Sequence, residues 1–311
     1  MRVTSQTFSN VLVGQLSTLA QRQNKLQNQA ATGQRIQFPE DDPTAMRRVL
    51  DLQSEAVNIG QYRNNIQSLQ EQSKVGYATI RSMKTLVDRA SEVATLADGT
   101  KSQVELDTYA IEIEQLLRSG LQLVNSLHRG DYLFSGTRSD VEPFSLTEDA
   151  NGRVNAATYQ GNQSLASSEI AEKVTATTMT LGENNTGTGA RGLVADSRTG
   201  ADLFNHLISL RDNLLAGNVA AISTTNLKEL GKDEDNFLFH FGTVGSIQAR
   251  LEAAESIFRS RSQSVEGLVS KEADSDLAET LVRLNETQNA YKAALQSGGT
   301  ILNQSLLDFL R

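Results

Sequence analysis

The sequence contains no cysteine, no tryptophan and only three prolines among its 311 residues. Without cysteine the chain can form no disulfide, use no thiolate nucleophile and build no cysteine-ligated zinc site. Aromatic residues make up 5% and hydrophobic residues 38% of the chain. This is little for a globular enzyme but typical of long helices with narrow apolar stripes. The composition therefore predicts a mainly helical protein.

Long hydrophobic runs are also missing. No stretch approaches the ~20 apolar residues that a membrane span requires, and the N-terminus lacks the apolar core of a secretory signal. The formal net charge of −8 argues against nucleic acid, which binds through lysine and arginine. By these rules we expect no membrane and no nucleic-acid partner. They also predict a cytoplasmic protein, unless export uses an uncleaved signal.

Catalytic motifs are weak throughout the sequence. Gly187, Gly189 and Gly192 spell the glycine pattern of dinucleotide sites, but that pattern needs a strand before it and a helix directly after it. Here it lies in a loop rich in asparagine, threonine and glycine, so we expect a flexible loop. The three histidines are scattered singly, without metal-site spacing. We therefore expect no enzyme activity and no catalytic, cofactor or metal site.

The most regular pattern lies at the C-terminus, from Asp276 to Arg311. Its apolar residues alternate gaps of four and three, which is the spacing of a coiled-coil seam. The seam residues from which we expect contacts are Leu281, Leu284, Tyr291, Leu295, Leu302, Leu306 and Phe309. The segment would form a helix of roughly 50 Å, whose apolar face must be covered in water.

A second amphipathic helix is predicted at the N-terminus, from about Thr4 to Ala31. One of its faces carries Phe8, Leu12, Leu16, Leu19 and Leu26. The two terminal helices are therefore predicted to be halves of one helical bundle. The pattern leaves open whether they pack on each other within one chain or serve assembly with other chains.

Between the termini the pattern predicts two helical regions separated by a β-rich one. Asp42 followed by Pro43 is a strong helix start, and a long helix is predicted to reach about Ala97. A second helix follows to about Arg129. Turn and strand signals then replace the helical period up to Gly192, including a hairpin at Asn151-Gly152 and a strand over Val174–Leu181. Helices resume at Gly200.

We therefore expect three parts in the chain. Residues 1–43 and 276–311 would be terminal assembly helices forming an inner layer, residues 44–130 and 200–275 a helical rod, and residues 131–199 a β-rich insert facing outward. Residues 236–241 are locally aromatic and fit either a turn or part of the last helical stretch. The predicted fold class is mainly α with a small β insert, built as a long-helix bundle or coiled coil from the N- and C-terminal segments.

Several motifs resemble the flagellin superfamily. They are the segment from Ala31 to Ile36 leading into Asp41-Asp42-Pro43, the terminal seams, and the β insert between helices. Residues 130–137 (GDYLFSGT), with Pro143-Phe144 and Tyr159-Gln160-Gly161 after them, resemble the hook-associated protein 3 family at the hook–filament junction. The ending from Leu306 to Arg311 is similar to it as well. The resemblance covers nearly the whole chain but is weak over residues 169–198 and 224–242.

The resemblance implies a structural component of the bacterial flagellum, extracellular and exported by the type III route without a cleaved signal peptide. It implies a ring of copies of the chain, with an adjacent hook-associated protein and flagellin as neighbours. A cytoplasmic export chaperone would cover the C-terminal helix before export. Two other hypotheses stay open: flagellin, the bulk filament subunit, and an enzyme or adhesin that uses the β insert.

Overall fold

The computed structural model describes residues 5–309, with side chains over residues 10–300. The chain forms two compact units. The first unit joins the residues up to Ile59 to those from Ser260 onward, and the second runs from Gly60 to Arg259.

Helices dominate the described part of the chain. They are α1 (Ser5–Thr32), α2 (Pro43–Leu96), α3 (Gln103–Val124), α4 (Leu203–Leu215), α5 (Val219–Ala221), α6 (Leu227–Ala273) and α7 (Leu277–Phe309). A π-helical turn, Ile222–Asn226, joins α5 to α6. Side-chain caps begin several of them: Asp42 Oδ1 accepts from Ala45 N at 3.0 Å, and Ser102 forms a capping box with Glu105. Such caps satisfy the free N–H groups of a first helical turn.

The strands are short and form four small sheets. They are β1 (Leu127–His128), β2 (Asp131–Tyr132), β3 (Phe144–Glu148), β4 (Val154–Tyr159), β5 (Ser168–Ala171), β6 (Val174–Ala176), β7 (Leu181–Asn184), β8 (Gly192–Asp196) and β9 (Ala201–Asp202). The pairs β1–β2, β3–β4 and β5–β6 are antiparallel. In the three-stranded sheet, β8 lies between the parallel β7 and the antiparallel β9.

The main core of the second unit contains side chains from helices and strands together. Leu117 of α3 and Phe204 of α4 belong to the same buried cluster as Phe144 of β3, Val154 of β4 and Leu193 of β8. A smaller cluster joins α2 and α6 to the β5–β6 hairpin. The described strands therefore have no separate core from the helices. The outward position and the three-part division remain predictions.

Residues 130–137 are fixed by contacts inside the second unit. Phe134 is buried, and its carbonyl oxygen accepts from Tyr159 Oη at 3.0 Å and from Gly182 N at 2.8 Å. Gly136 has a φ of 69° and lies against Asn162, whose Oδ1 accepts from Thr137 N at 2.9 Å. This motif thus has a structural role: it joins the β3–β4 hairpin to the start of β7.

The structure confirms the predicted fold class, with long helices and a few small sheets. It also confirms the hairpin at Asn151-Gly152, where Gly152 has a φ of 73°. Two local predictions were wrong. The helix expected to reach Arg129 ends at Val124, because Leu127–His128 pairs with Asp131–Tyr132.

The second error concerns a longer segment. The strand predicted over Val174–Leu181 is split, because its ends pair with different partners. Residues 236–241, open between turn and helix, lie inside α6. Helix α6 therefore runs through this segment, from Leu227 to Ala273. Over the described residues, no helix is long and apolar enough to cross a membrane.

Candidate assembly interface

Helices α1 and α7 of the first unit pack against each other as an antiparallel pair. At one end of the pair, Ser275 N donates to Gly33 O at 2.8 Å. Further along, Gly298 lies directly against the side chain of Leu12. The pairing that the sequence left open therefore occurs within a single chain.

The segment between α1 and α2 ties the pair to the end of α6. Gly33 ends α1 with a φ of 72°, the left-handed conformation that glycine adopts without strain. Arg35 N then donates to Ala273 O at 2.6 Å, and Arg35 Nη2 donates to Glu272 O at 2.7 Å. The Glu272 carboxylate accepts from Arg48 of α2 at 2.9 Å. These residues, which we call the helix junction, hold the ends of four helices together.

Asp41 is the charged centre of the turn inside this junction. Lys25 Nζ of α1 lies 2.6 Å from Asp41 Oδ1. The backbone N–H groups of Gln37 and Phe38 donate to Asp41 Oδ2 at 3.1 and 3.2 Å. The Lys25 hydrogen bond and these two N–H groups stabilise the carboxylate and lower the pKa of Asp41 to about 2. The pairing fixes the end of α1 on the turn that leads into α2.

Two ion pairs join α2 to α6 in the first unit. Arg261 Nε of α6 lies 2.6 Å from Glu55 Oε1 of α2, and Arg48 pairs with Glu272 between the same helices. Exposed pairs contribute little stability each. The two pairs fix the register of α2 against α6. The end of α6 then leads into the helix junction.

The predicted seam of α7 is divided between two faces. Leu284 and Tyr291 are half-buried on the face that also buries Thr280 and Thr287. Thr287 satisfies its hydroxyl by donating to Arg283 O at 2.7 Å, which allows it to be buried. By contrast, Leu281 is 49% exposed and Leu295 is 48% exposed. The contact face of α7 is therefore rotated by about one residue from the seam that the sequence suggests.

The predicted seam of α1 lies largely on its covered side. Leu26 is buried, and Leu12, Leu16 and Leu19 are half-buried. Phe8, Leu302, Leu306 and Phe309 lie outside the residues whose side chains are described. The contribution of all twelve residues to assembly remains a prediction.

Apolar side chains remain exposed along the described part of α7. They are Leu277, Leu281, Val282 and Leu295, and we call them together the α7 flank. Val11 and Val13 of α1 are also exposed in this unit. Sequence reasoning did not include Val282 or the two valines, because they fall outside a seam of alternating threes and fours. It also missed Arg35, Arg48 and Glu272, which meet only through folding.

In the part of the chain that the structure describes, no group of three or more histidine, aspartate or glutamate side chains is arranged to hold a metal ion. What the first unit offers is a packed helix pair, a charged junction and an apolar flank.

Comparison with known proteins gives a family match at the N-terminal end. Residues 4–139 match the family described as the bacterial flagellin N-terminal helical region. Flagellar hook-associated protein 3 of Salmonella typhimurium is 23% identical over 211 residues. That match covers 67% of this chain and 58% of the relative, so the chain spans less than two thirds of the relative's length.

Solved structures share the fold. A flagellar hook-associated protein from Vibrio parahaemolyticus superimposes with a TM-score of 0.65 at 19% identity, covering 75% of this chain and 100% of that one. Hook-associated protein 3 from Legionella pneumophila gives a TM-score of 0.59 at 15% identity, covering 71% of this chain and 97% of that one. The chain is thus similar to flagellin over its N-terminal helical region, and to hook-associated protein 3 in sequence and in fold.

Proposed function

We propose that the protein is a structural component of the bacterial flagellum that joins the hook to the filament through its terminal helices. The observation that carries this proposal is the α7 flank: apolar side chains left exposed on a helix that is already packed against α1. Exposed apolar side chains that recur along one helix can be covered by a neighbouring protein. The similarity to hook-associated protein 3 supports a place at the hook–filament junction.

The α7 flank fits a neighbour that supplies apolar surface rather than charge. Leu281 and Leu295 each leave about half of their surface in water. Covering that half contributes roughly 1 kcal/mol per leucine. In a ring the contact is repeated around the circle, so small contributions from each copy add up to a stable assembly. Copies of the chain in a ring are thus the first partners of this surface.

The other proposed partners follow from position in such an assembly. An adjacent hook-associated protein would lie on one side of the ring and flagellin on the other. Before assembly a cytoplasmic export chaperone would cover the C-terminal helix, including Leu302, Leu306 and Phe309. The protein would then be extracellular, exported without a cleaved signal peptide. In this role it acts as a structural protein and not as an enzyme.

Flagellin, the bulk filament subunit, is the competing function. The name of the relative favours the junction, since it is a hook-associated protein. The two functions also differ in behaviour. A bulk subunit extends long filaments when seeded, whereas a junction protein ends with its own ring.

Deletion of the gene from the source bacterium tests the proposal. We expect hooks without filaments under the electron microscope, flagellin released into the medium, and motility restored by the intact gene on a plasmid. Purified protein added to filament seeds should not elongate them. Normal filaments in the deletion strain, or elongation of seeds by the purified protein, would rule out the junction function.

A further inference from the structure

The second unit contains a cavity of about 350 Å³ with an apolar interior and arginines at its edge. The buried side chains of Leu181 and Val244 lie inside it, together with the half-buried Ile247. Arg191 and Arg198 also line it. We call it the arginine cavity. Nothing in the proposed junction role uses it.

One wall is the glycine-rich loop that the sequence predicted as flexible. The structure shows instead that side chains anchor this loop. Asn184 Nδ2 donates to Thr188 O and to Ala190 O, both at 2.6 Å. Arg198 Nη1 donates to Gly189 O at 2.9 Å, where Gly189 has a φ of 78°. The wall is therefore formed before any ligand arrives, which lowers the entropic cost of binding.

The charge of the cavity is positive and comes from arginine alone. No aspartate or glutamate is among its lining residues. Burial lowers the pKa of His240, which lines the cavity, to about 4. Its imidazole is therefore neutral at neutral pH. The chain as a whole has a formal net charge of −8, so the positive charge at the cavity is opposite in sign to that of the chain. A positive charge here attracts an anionic group.

Of the two arginines, Arg191 is free to bind a carboxylate. Arg198 is already paired with Asp196, at 2.6 Å. Arg191 has no carboxylate within ion-pair distance among the side chains described, and its guanidinium carbon lies 3.9 Å above the ring of Phe239. That ring is 42% exposed. The stacking orients the guanidinium while leaving its N–H groups available for a two-point hydrogen bond to a carboxylate.

The backbone beside the cavity is paired only locally, where Met179 N donates to Thr177 Oγ1 at 3.2 Å. Residues 178–180 line the cavity between β6 and β7 and belong to neither strand. In the described part of the chain, no backbone hydrogen bond joins them to another segment. Thr178 Oγ1 donates to Gln72 Oε1 at 2.7 Å and fixes their position on α2. Backbone that pairs with no other segment can receive an extended peptide, as in strand addition.

We propose that the arginine cavity binds an acidic, apolar peptide segment of a partner protein. An apolar side chain of that segment enters the cavity between Leu181 and Val244. A neighbouring carboxylate binds Arg191, and the peptide backbone bonds along residues 178–180. The apolar side chain of the segment thus fills the cavity, and its carboxylate meets an arginine that has no ion pair among the described side chains.

The test uses two fluorescently labelled pentapeptides that are capped at both ends. In each peptide, residues of one charged type alternate with leucine or phenylalanine. The charged residue is aspartate in the first and lysine in the second. We expect the intact protein to bind the aspartate peptide by fluorescence anisotropy and not the lysine peptide. Arg191→Gln should weaken binding about tenfold, the effect of losing one charge-assisted pair. The matched control, Arg81→Gln, removes the same charge from an exposed part of α2 without an ion pair and should bind normally.

A second variant tests the apolar part of the cavity. Thr243→Trp places a large side chain at the exposed edge of the cavity on α6 and should abolish binding while the far-ultraviolet circular dichroism is unchanged. Equal binding of the two peptides, binding of neither, or full affinity in the Arg191→Gln variant would overturn the proposal. So would self-association by sedimentation that Arg191→Gln abolishes, since the occupant would then be a second copy of the chain.

Discussion

The α7 flank can be tested by placing charge on it while leaving the α1–α7 contact intact. The variant combines Leu281→Asp with Leu295→Asp. Both leucines are about half exposed, so each carboxylate can stay hydrated in the isolated protein. The cost to the fold is the buried half of each leucine, roughly 1 kcal/mol apiece, and a smaller loss of helix propensity. The helix pair should therefore remain folded.

Assembly should respond much more strongly. Each lost leucine removes roughly 1 kcal/mol of burial against a neighbouring subunit. Each unpaired carboxylate that a neighbour covers adds several kcal/mol of desolvation. The lost burial and the added desolvation together exceed the binding free energy of a subunit contact of ordinary size. Incorporation of the variant into the flagellum should therefore fail. The assays are circular dichroism and hydrogen exchange for folding, then swimming motility in a strain that has only the variant.

Two controls separate folding from assembly. Leu238→Asp carries the same change on a leucine of α6 that is 48% exposed in the second unit, and it should assemble normally. Leu284→Asp puts the charge on the packed face of α7 and should open the helix pair in the isolated protein. Normal motility of the double variant, with the protein incorporated, would refute the assembly role of the flank.

Three further predictions concern the stability of the two units. In the folded protein the pKa of Asp41 is about 2, below its usual 3.8. The Lys25 contact therefore stabilises the helix junction fully above pH 3.8, and this stabilisation is lost as the pH falls through 2. Hydrogen exchange should show that Asp41→Asn removes this acid dependence. In the second unit His206 Nδ1 lies 2.7 Å from the buried Asp233. Burial opposes the imidazolium, but the Asp233 carboxylate outweighs it and raises the pKa of His206. The pair therefore stabilises most just below pH 6.5, where the imidazole is protonated and Asp233, whose own pKa burial raises, is still ionised. His206→Asn should cost most in urea titrations there and least in alkaline ones. Phe134→Ala should lower the free energy of unfolding of the second unit by roughly 3–5 kcal/mol, and a loss below 1 kcal/mol in urea unfolding would contradict its role in the core.

Hydrophobic periodicity predicted the long helices because each has one covered face over many turns. Local signals also located Asp42 at the start of α2 and Gly33 at the end of α1, since capping depends on neighbours in the sequence. These signals were weaker for α7. An apolar stripe whose gaps alternate between three and four residues leaves the contact face of the helix free to shift by one residue. Thr280 and Thr287 occupy buried positions because their hydroxyls find hydrogen-bond partners nearby in the sequence.

Contacts between distant residues were not predictable in this way. Arg35 and Glu272 are 237 positions apart, and nothing in either neighbourhood indicates the pairing. Residues 236–241 fit either a turn or a helix by composition. The helix is stabilised there because Phe237 enters the core and Asn236 donates to Gly192 O and Leu193 O of β8. The arginine cavity likewise arises from segments that only the fold brings together.

Immunogold electron microscopy of the assembled organelle tests the central claim most directly. A short epitope tag would replace part of the exposed turn between β3 and β4, near Gly152, in a strain whose motility the tagged protein supports. The junction function predicts a single cluster of gold at the boundary of hook and filament. Gold distributed along the whole filament, or absent from the flagellum, would contradict it.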